Sequence, residues 1–299
     1  MMTARQQTAW QGELRHDEPM TKHTSWRVGG TADNYYRPVD LDDLCLFLAD
    51  IADDEPLTWV GLGSNLLVRD GGIRGTVIST SGMLNGLSLQ PENTLYVEAG
   101  VSCAKVARFA AKQNLTGVEF LAGIPGTMGG ALAMNAGAFG GETWQRVAQV
   151  TTISPGGECT LRHPDEYKIA YRSVVGPENE WFVSATLQLE QGDVNVGQAK
   201  IKKLLSQRGA TQPTNKPSCG SVFRNPPNDH AARLIDKSGL KGACIGGACV
   251  SEKHANFIIN TGTATAADIE ALIEKVAATV KQQHGIELQR EAHIIGEPK

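Results

Sequence analysis

Long apolar runs are absent from the 299-residue sequence. The first twenty residues are polar and lack the hydrophobic core of a signal peptide. No later segment has the roughly 20 apolar residues that a membrane-spanning helix requires. We therefore expect a cytoplasmic protein that does not insert into a membrane.

An excess of basic residues is also absent. The chain has 28 Lys and Arg against 32 Asp and Glu, a net charge of −4 and a pI of about 6.0. The cations are scattered and form no stripe that would neutralise a nucleic-acid backbone. We therefore expect no nucleic-acid partner.

Cysteine is sparse, with six residues: Cys45, Cys103, Cys159, Cys219, Cys244 and Cys249. Without an export signal, this number in a long chain predicts free thiols rather than a disulfide framework. Cys244 and Cys249 are the closest pair, but no second Cys or His pair at zinc spacing accompanies them. We therefore predict no structural metal.

The overall composition is typical of a folded protein, with 41% hydrophobic and 20% charged residues. The length predicts two or three compact units. In the first half, Asp40 is placed to cap a helix that leads into a strand at 57–60, and Ser102 is placed to cap a second helix. Helical and strand patterns follow one another without repeats, which predicts an α/β enzyme with a smaller α+β domain in its second half.

The second half contains the best linker candidate, the polar stretch QGDVNVGQ after Glu190. Beyond it the pattern predicts a basic helix over 199–208 and a strand over 220–223. A further helix begins at Thr265, with Asp268 in the capping-box position, and ends at Gly285. A final strand follows, in which Glu291 and His293 share a face that would ordinarily contact solvent.

Two glycine-rich segments are the most unusual feature of the sequence. GLGSN at 61–65 exposes backbone N–H groups suited to phosphate oxygens, although a simple turn explains it equally well. Leu66 stands where a dinucleotide-binding fingerprint has its third glycine, so a nicotinamide-binding fold is not indicated. The segment 123–141 lacks the Lys of a P-loop, yet its glycines precede a short helix and favour an anion at the helix N-terminus.

Local patterns do not identify a catalytic group. Ser221 lies outside any G-x-S-x-G elbow, which disfavours a hydrolase nucleophile. Neighbouring Cys219 is expected to be a buried structural thiol. Arg172 and Glu291 could both be surface residues of strands, and nothing in the local sequence makes either of them catalytic.

Seven segments taken in order resemble the family of UDP-N-acetylenolpyruvoylglucosamine reductases, flavoenzymes that complete UDP-N-acetylmuramate for bacterial peptidoglycan. The resemblance covers nearly the whole chain. The segments are HTSWRVGGTAD, GLGSNLLVRDGGIRGTVI, VEFLAGIPGTMGGALAMNAGAFGGE, YRS, PSCGSVFRNP, LKGACIGGACVSEKHANFIIN and LQREAHIIG.

The resemblance implies a vanillyl-alcohol oxidase/PCMH-type FAD-binding domain in two α/β subdomains, followed by a C-terminal α+β substrate domain. The expected boundaries are an N-terminal extension over 1–20, the subdomains over 21–80 and 81–192, and the substrate domain over 200–299. The short interval between Arg172 and Cys219 is similar to the compact subtype of the family, which lacks an extra tyrosine-bearing loop. We also expect a monomer.

FAD is the cofactor that the resemblance implies, with NADPH as reductant. Because the first loop offers no His for a covalent link, we expect noncovalent FAD. The positions that match the family's FAD-binding loops are Gly61, Gly63, Ser64, Asn65, Leu66, Gly123, Ile124, Pro125, Gly126, Thr127, Gly129, Gly130, Asn135 and Gly137.

Three catalytic positions carry over from the family: Ser221 as proton donor, Arg172 and Glu291. Positions that match contacts to the UDP-sugar substrate are Tyr171, Asn225, Lys241 and His254. His293 stands where the family usually has a basic residue, so its charge is expected to depend on pH.

Two other functions share part of this pattern. An oxidase of the same flavin superfamily would keep the glycine loops but need neither Ser221 nor Glu291. A flavin-binding regulator would do no chemistry. The C-terminal motifs favour the reductase over both.

Overall fold

The computed structural model describes residues 10–299, which form six α-helices. None of these helices is long and apolar enough to cross a membrane. The helices are α1 Leu41–Asp50, α2 Cys103–Lys112, α3 Met128–Met134, α4 Val194–Thr211, α5 Ala231–Lys237 and α6 Ala266–His284.

The strands of the same residues fall into three main sheets and several two-stranded pairs. In chain order they are β1 Glu13–Pro19, β2 Thr31–Arg37, β3 Leu57–Val60, β4 Leu66–Val68, β5 Ile73–Ser79, β6 Leu87–Gln90, β7 Thr94–Glu98, β8 Leu115–Thr116, β9 Gly137–Ala138, β10 Gly141–Glu142, β11 Val147–Ile153, β12 Cys159–Arg162, β13 Lys168–Ala170, β14 Ser173–Val175, β15 Trp181–Gln188, β16 Glu190–Gln191, β17 Cys244–Ile245, β18 Ala248–Val250, β19 Ile258–Asn260 and β20 His293–Ile295.

The first sheet has the order β1-β2-β5-β3, in which β2, β5 and β3 are parallel. Helix α1 begins after Asp40, whose carboxylate accepts from the Asp43 N–H, so the predicted cap is confirmed. The apolar face of α1 packs on this sheet, where the ring of Phe47 stacks on Tyr36. The GLGSN loop leaves the carboxyl end of β3, the edge at which parallel sheets bind ligands.

The second sheet is antiparallel, with the order β12-β11-β15-β7-β6. Helix α2 is capped by Ser102 as predicted and buries Val106 and Ala110 in the core of this sheet. The second glycine segment follows α2 and runs into α3. Residues of both glycine loops line one cavity.

The C-terminal part packs α5 and α6 on the small sheet β17-β18-β19. The capping box of α6 is confirmed, because Thr265 and Asp268 exchange hydrogen bonds. This part is fastened to the rest of the chain through Asp70, which accepts from the N–H groups of Ala266 and Ala267, and through the Arg69–Glu270 ion pair at 2.7 Å. These contacts hold the start of α6 against the turn that follows β4.

Residues 13–19, within the expected N-terminal extension, form β1 and pair with β2. Residues 1–9 of that extension lie outside the described residues. The predicted linker was wrong at its C-terminal end, because α4 begins at Val194 inside it. Asp193 caps this helix through the Asn195 and Val196 N–H groups, a local signal that the polar composition concealed.

Two strand predictions near the C-terminus were also wrong in detail. Residues 220–223 form no strand and make a single bridge between Phe223 and Arg290. The last strand is only β20, which pairs in parallel with β4 in a two-stranded sheet. Glu291 lies just before it and is half-buried, whereas Glu287 and His293 of the same predicted face are exposed.

The prediction of free thiols was wrong for one pair, since Cys244 and Cys249 form a disulfide. The two residues are directly opposite each other in the β17–β18 hairpin. Sequence spacing does not show this register, which brings the two side chains together. The remaining cysteines, Cys45, Cys103, Cys159 and Cys219, are free.

Candidate active site

A cavity of about 450 Å³ opens where the glycine loops, the 168–175 hairpin and the C-terminal part meet. Its wall includes segments far apart in sequence, from the first loop to the last strand. The lining residues are Trp59, Gly61, Leu62, Gly63, Ser64, Asn65, Leu66, Gly123, Ile124, Pro125, Gly126, Thr127, Gly130, Ala131, Ala133, Met134, Ala136, Gly137, Ala138, Phe139, Arg172, Arg208, Gln212, Cys219, Gly220, Ser221, Phe257, Glu291 and His293.

The first loop is held against the segment at 23–25. Gly63 has φ +58°, and a Cβ there would collide with the carbonyl oxygen of His23. The same glycine accepts a hydrogen bond from the Ser25 N–H at 3.1 Å. Only glycine fits this close approach in a left-handed conformation.

The second loop is hydrogen-bonded to the turn that precedes α2. The first two N–H groups of α3, from Met128 and Gly129, donate to the carbonyl oxygens of Val101 and Ala99. A ligand at this loop therefore cannot use these two donors of the helix N-terminus. The groups that remain on the cavity side belong to the loop itself, at Gly126 and Thr127, and to Gly130.

These groups fit an anionic ligand. The Thr127 hydroxyl is buried, and no residue of the described chain hydrogen-bonds it. A Cβ at Gly126 would be 3.4 Å from the Ser64 hydroxyl, and a Cβ at Gly130 would be 3.9 Å from the Thr127 hydroxyl. The two loops thus face each other across a gap that a side chain would partly fill, and which a cofactor diphosphate suits.

Ser221 is positioned by a segment that has no regular structure but is fixed on both sides. Asn256 accepts from the Phe223 N–H and donates to the Phe223 carbonyl, at 3.0 and 2.8 Å. On the other side the Glu291 N–H donates to the Val222 carbonyl at 2.8 Å. Ser221 and Glu291 are therefore held in adjacent segments of one wall.

Arg172 lies in the two-residue turn between β13 and β14, with φ +54°. Its guanidinium donates to Glu291 Oε1 at 3.0 Å and to the Gly137 carbonyl at 2.8 Å. Asn135 supports this turn by donating to the Ala170 carbonyl at 3.1 Å. The hairpin thus presents a fixed cation to the cavity, with its side chain only 16% exposed.

Two opposing effects act on the pKa of the Glu291 carboxyl. Its side chain is 13% exposed, and burial raises the pKa of its carboxyl above the ordinary value. The charge and hydrogen bond of Arg172 act to lower this pKa, but burial dominates. The carboxyl therefore keeps a proton to higher pH than an exposed glutamate would.

The first loop and Glu291 are in direct contact. Asn65 donates from its amide to the Glu291 carbonyl at 3.0 Å, and the Asn65 carbonyl accepts from the His293 N–H at 3.0 Å. The loop expected to bind the cofactor thus also sets the position of a catalytic candidate.

Most of the sequence-predicted residues meet on this wall, including Arg172, Ser221 and Glu291. Among the expected cofactor residues, Gly129 and Asn135 do not line the cavity. A Cβ at Gly129 would be 3.0 Å from that of Ala99, so this glycine is closely packed against the turn before α2. Asn135 is buried and uses its side chain to support the Arg172 hairpin and the Trp144 N–H.

The four expected substrate residues do not line the cavity either. Tyr171 is exposed beside the Arg172 guanidinium. Asn225 accepts from the Ala231 N–H at the start of α5, and Lys241 pairs with Asp236 at 2.9 Å. The ring of His254 packs on Phe257, and burial lowers its pKa.

Arg208 in the last turn of α4 and Gln212 directly after the helix line the cavity but were not singled out from the sequence. The guanidinium of Arg208 donates to Gln212 Oε1 at 3.0 Å, and among residues 10–299 no carboxylate pairs with it. Burial lowers its pKa. Arg208 lies thirteen residues before Ser221. The sequence does not distinguish it from the other cations of its helix.

Two family models match the chain: "UDP-N-acetylenolpyruvoylglucosamine reductase, C-terminal domain" over residues 212–295, and "FAD binding domain" over residues 32–161. A reductase of that name from Alkalilimnicola ehrlichii is 58% identical over 296 residues, covering 99% of both chains. One from Legionella pneumophila is 60% identical over 291 residues, covering 97% of this chain and 94% of the relative.

A solved structure agrees with these sequence matches. The reductase from Thermus caldophilus superposes with a TM-score of 0.81 at 30% identity, covering 95% of this chain and 98% of that one. The resemblance and the fold class expected from the sequence are thereby confirmed.

Proposed function

Since the chain belongs to the UDP-N-acetylenolpyruvoylglucosamine reductase family, we propose that Arg172, Ser221 and Glu291 carry out its chemistry. The protein is an FAD-containing oxidoreductase that reduces the enolpyruvyl group of UDP-N-acetylglucosamine-enolpyruvate in peptidoglycan synthesis, with NADPH as reductant. The observation that carries our proposal is the meeting of these three distant residues in one cavity with both glycine loops.

The two loops would hold the FAD diphosphate. Ser64 and the unpartnered Thr127 hydroxyl offer donors on opposite sides of the gap. Arg208, which has no carboxylate partner in the described chain, supplies a positive charge on the same wall. FAD binds noncovalently in this arrangement, because the first loop contains no histidine.

FAD held by these residues would supply the hydride chemistry that links NADPH to the terminal carbon of the enolpyruvyl group. Negative charge then builds on the adjacent carbon and on the substrate carboxylate. The protein must stabilise this charge and deliver one proton to the adjacent carbon. Residues fixed before the reaction do this with little reorganisation.

Each of the three residues has a distinct task. Arg172 is a rigid cation suited to the substrate carboxylate. Glu291, whose pKa burial raises, donates a hydrogen bond to the developing enolate in its protonated form. The Ser221 hydroxyl delivers the proton to carbon, a step worth about 10² to 10⁴ in rate.

The positions assigned to the UDP-sugar lie around this centre rather than on its wall. We assign Tyr171, Asn225, Lys241 and His254 to contacts with the sugar and the phosphates. Tyr171 adjoins Arg172 in the hairpin turn and is 47% exposed, so it is accessible to a bound ligand.

The wider arrangement follows the family. Residues 21–80 and 81–192 form the two FAD-binding subdomains, and residues 200–299 form the substrate domain. The enzyme acts in the cytoplasm as a monomer without nucleic acid, in keeping with its net charge of −4.

An anaerobic experiment tests the proposed function. NADPH should bleach the flavin absorbance of the holoenzyme, and the enolpyruvyl sugar nucleotide should restore it. Bleaching without recovery on addition of this substrate would contradict the assignment, whereas recovery with an alcohol or sugar oxidation product would favour an oxidase.

A further inference from the structure

Two free thiols lie against each other where the first and second sheets meet. Cys45 belongs to α1 and Cys159 to β12, and their sulfur atoms are 3.8 Å apart across 114 residues of sequence. Cys45 is half-buried, while Cys159 is exposed. We propose that Cys45 and Cys159 are an oxidative modification site, a dithiol that closes to a disulfide and fastens α1 to the second sheet.

The surrounding contacts keep the two sulfur atoms close together. The turn before Cys159 packs so tightly on α1 that a Cβ at Gly157 would collide with the Cys45 carbonyl oxygen. Ile153, opposite Cys159 in the sheet, is buried in the same core as Leu44 and Leu48 of α1. A disulfide needs sulfur atoms about 2.05 Å apart, so the two sulfur atoms must approach each other by roughly 1.8 Å for the bond to form.

A series of residue contacts across the second sheet connects the two cysteines with the cofactor cavity. Cys159 is opposite Ile153, and Ile153 is opposite Trp181 on the next strand. Trp181 stacks on Trp59, with ring centroids 5.1 Å apart, and Trp59 lines the cavity. Closing the disulfide therefore stiffens the contact between sheets that supports one wall of the cavity.

The reaction is a thiol–disulfide exchange with a small-molecule disulfide such as oxidised glutathione. The Cys159 thiolate attacks one glutathione sulfur, forms a mixed disulfide and releases one glutathione thiolate. The Cys45 thiolate then attacks the Cys159 sulfur, forms the protein disulfide and releases the second glutathione thiolate. The two cysteines lose two electrons to the glutathione disulfide, and their two protons protonate the released thiolates.

The order of these steps follows from exposure. Cys159 is accessible to a reagent, whereas burial and the neighbouring Cys159 raise the pKa of Cys45 to about 12. Once Cys159 is in the mixed disulfide it no longer carries a thiolate charge beside Cys45. Cys45 is then placed to act as the resolving thiol.

The test treats the holoenzyme with oxidised glutathione, in a Cys244→Ser/Cys249→Ser background so that the hairpin disulfide does not contribute. We expect a mass loss of two hydrogens, a peptide in which Cys45 is linked to Cys159, and a rise of about 5–10 °C in the temperature at which FAD fluorescence is released. Dithiothreitol should reverse all three changes.

Cys159→Ser in the same background is the matched control, and it should show none of these changes. A Cys159–glutathione adduct that persists while Cys45 stays open to alkylation would overturn the proposal. So would a cross-link that leaves the melting temperature unchanged, because the bond would then not fasten α1 to the second sheet. These results are independent of the reductase assay, so this site and the proposed function can fail separately.

Discussion

The glycine loops and the Arg172–Ser221–Glu291 cluster face each other in one cavity but are built in opposite ways. The loops act through backbone and through the absence of side chains, as at Gly126 and Gly130. The cluster acts through three side chains that arrive from separate segments. The Arg172 guanidinium donates to the Gly137 carbonyl, and the Glu291 backbone is held by Asn65 and Val222. Changes in the loops should therefore affect FAD binding or folding, and changes in the cluster should affect chemistry with FAD in place.

The largest expected effect separates the two half-reactions. Ser221→Ala should retain flavin reduction by NADPH but slow reoxidation by the enolpyruvyl substrate by about 10² to 10⁴. Stopped-flow absorbance of the flavin measures each rate. Ser218→Ala is the matched control, because its hydroxyl makes only a long hydrogen bond to the Lys216 carbonyl and lies off the cavity wall. Equal losses in both half-reactions would remove Ser221 from the role of proton donor.

Arg208 tests whether the cavity wall outside the loops contributes to FAD binding. Arg208→Met removes a partly buried cation that makes charge-assisted hydrogen bonds to the diphosphate in our proposal, so FAD should bind roughly ten- to a hundredfold more weakly. Fluorescence titration of the apoprotein with FAD measures this affinity. Lys203→Met, at an exposed position of the same helix, should leave it unchanged. Unchanged FAD affinity with a raised KM for the UDP-sugar would assign Arg208 to the substrate instead.

The pH dependence of substrate-driven reoxidation tests Glu291. Burial raises the pKa of Glu291, so its protonated, hydrogen-bond-donating form persists at low pH and is lost as pH rises through that value. The rate constant should therefore fall with increasing pH, by up to about tenfold per unit above the pKa.

Glu291→Gln provides the control, since an amide keeps a neutral donor that does not titrate. This variant should reoxidise more slowly than the wild type at low pH, and its rate constant should not fall as pH increases. A wild-type rate that rises with pH would show that the carboxylate, not the carboxylic acid, is the active form.

The same comparison explains what could be read from the sequence. The loops were visible locally, because the need for bare backbone selects glycine within a few residues. The caps at Asp40, Ser102 and Thr265 were predicted for the same reason, as each depends on contacts within one turn. These features involve no distant partner.

The cluster was reached only through family resemblance. Local alternation placed Glu291 on a solvent face, but its side chain is only 13% exposed because it pairs with Arg172 of the β13–β14 hairpin. The register that joins Cys244 to Cys249 and the α4 placement that brings Arg208 to the cavity were likewise invisible, because each depends on contacts between separate parts of the chain.

The smallest expected effect is a difference in stability between alanine substitutions at two of the loop glycines. Gly63→Ala places a Cβ at positive φ against the His23 carbonyl, so it should lower the free energy of unfolding of the apoprotein by roughly 1–3 kcal/mol. Gly126→Ala adds a methyl group that points into the cavity, 3.4 Å from the Ser64 hydroxyl, and should change this stability by no more than about 0.5 kcal/mol while weakening FAD binding. Urea unfolding of the apoprotein and FAD titration measure the two quantities. If Gly126→Ala destabilised the apoprotein as much as Gly63→Ala and bound FAD normally, the second loop would be shaped by packing rather than by its cofactor.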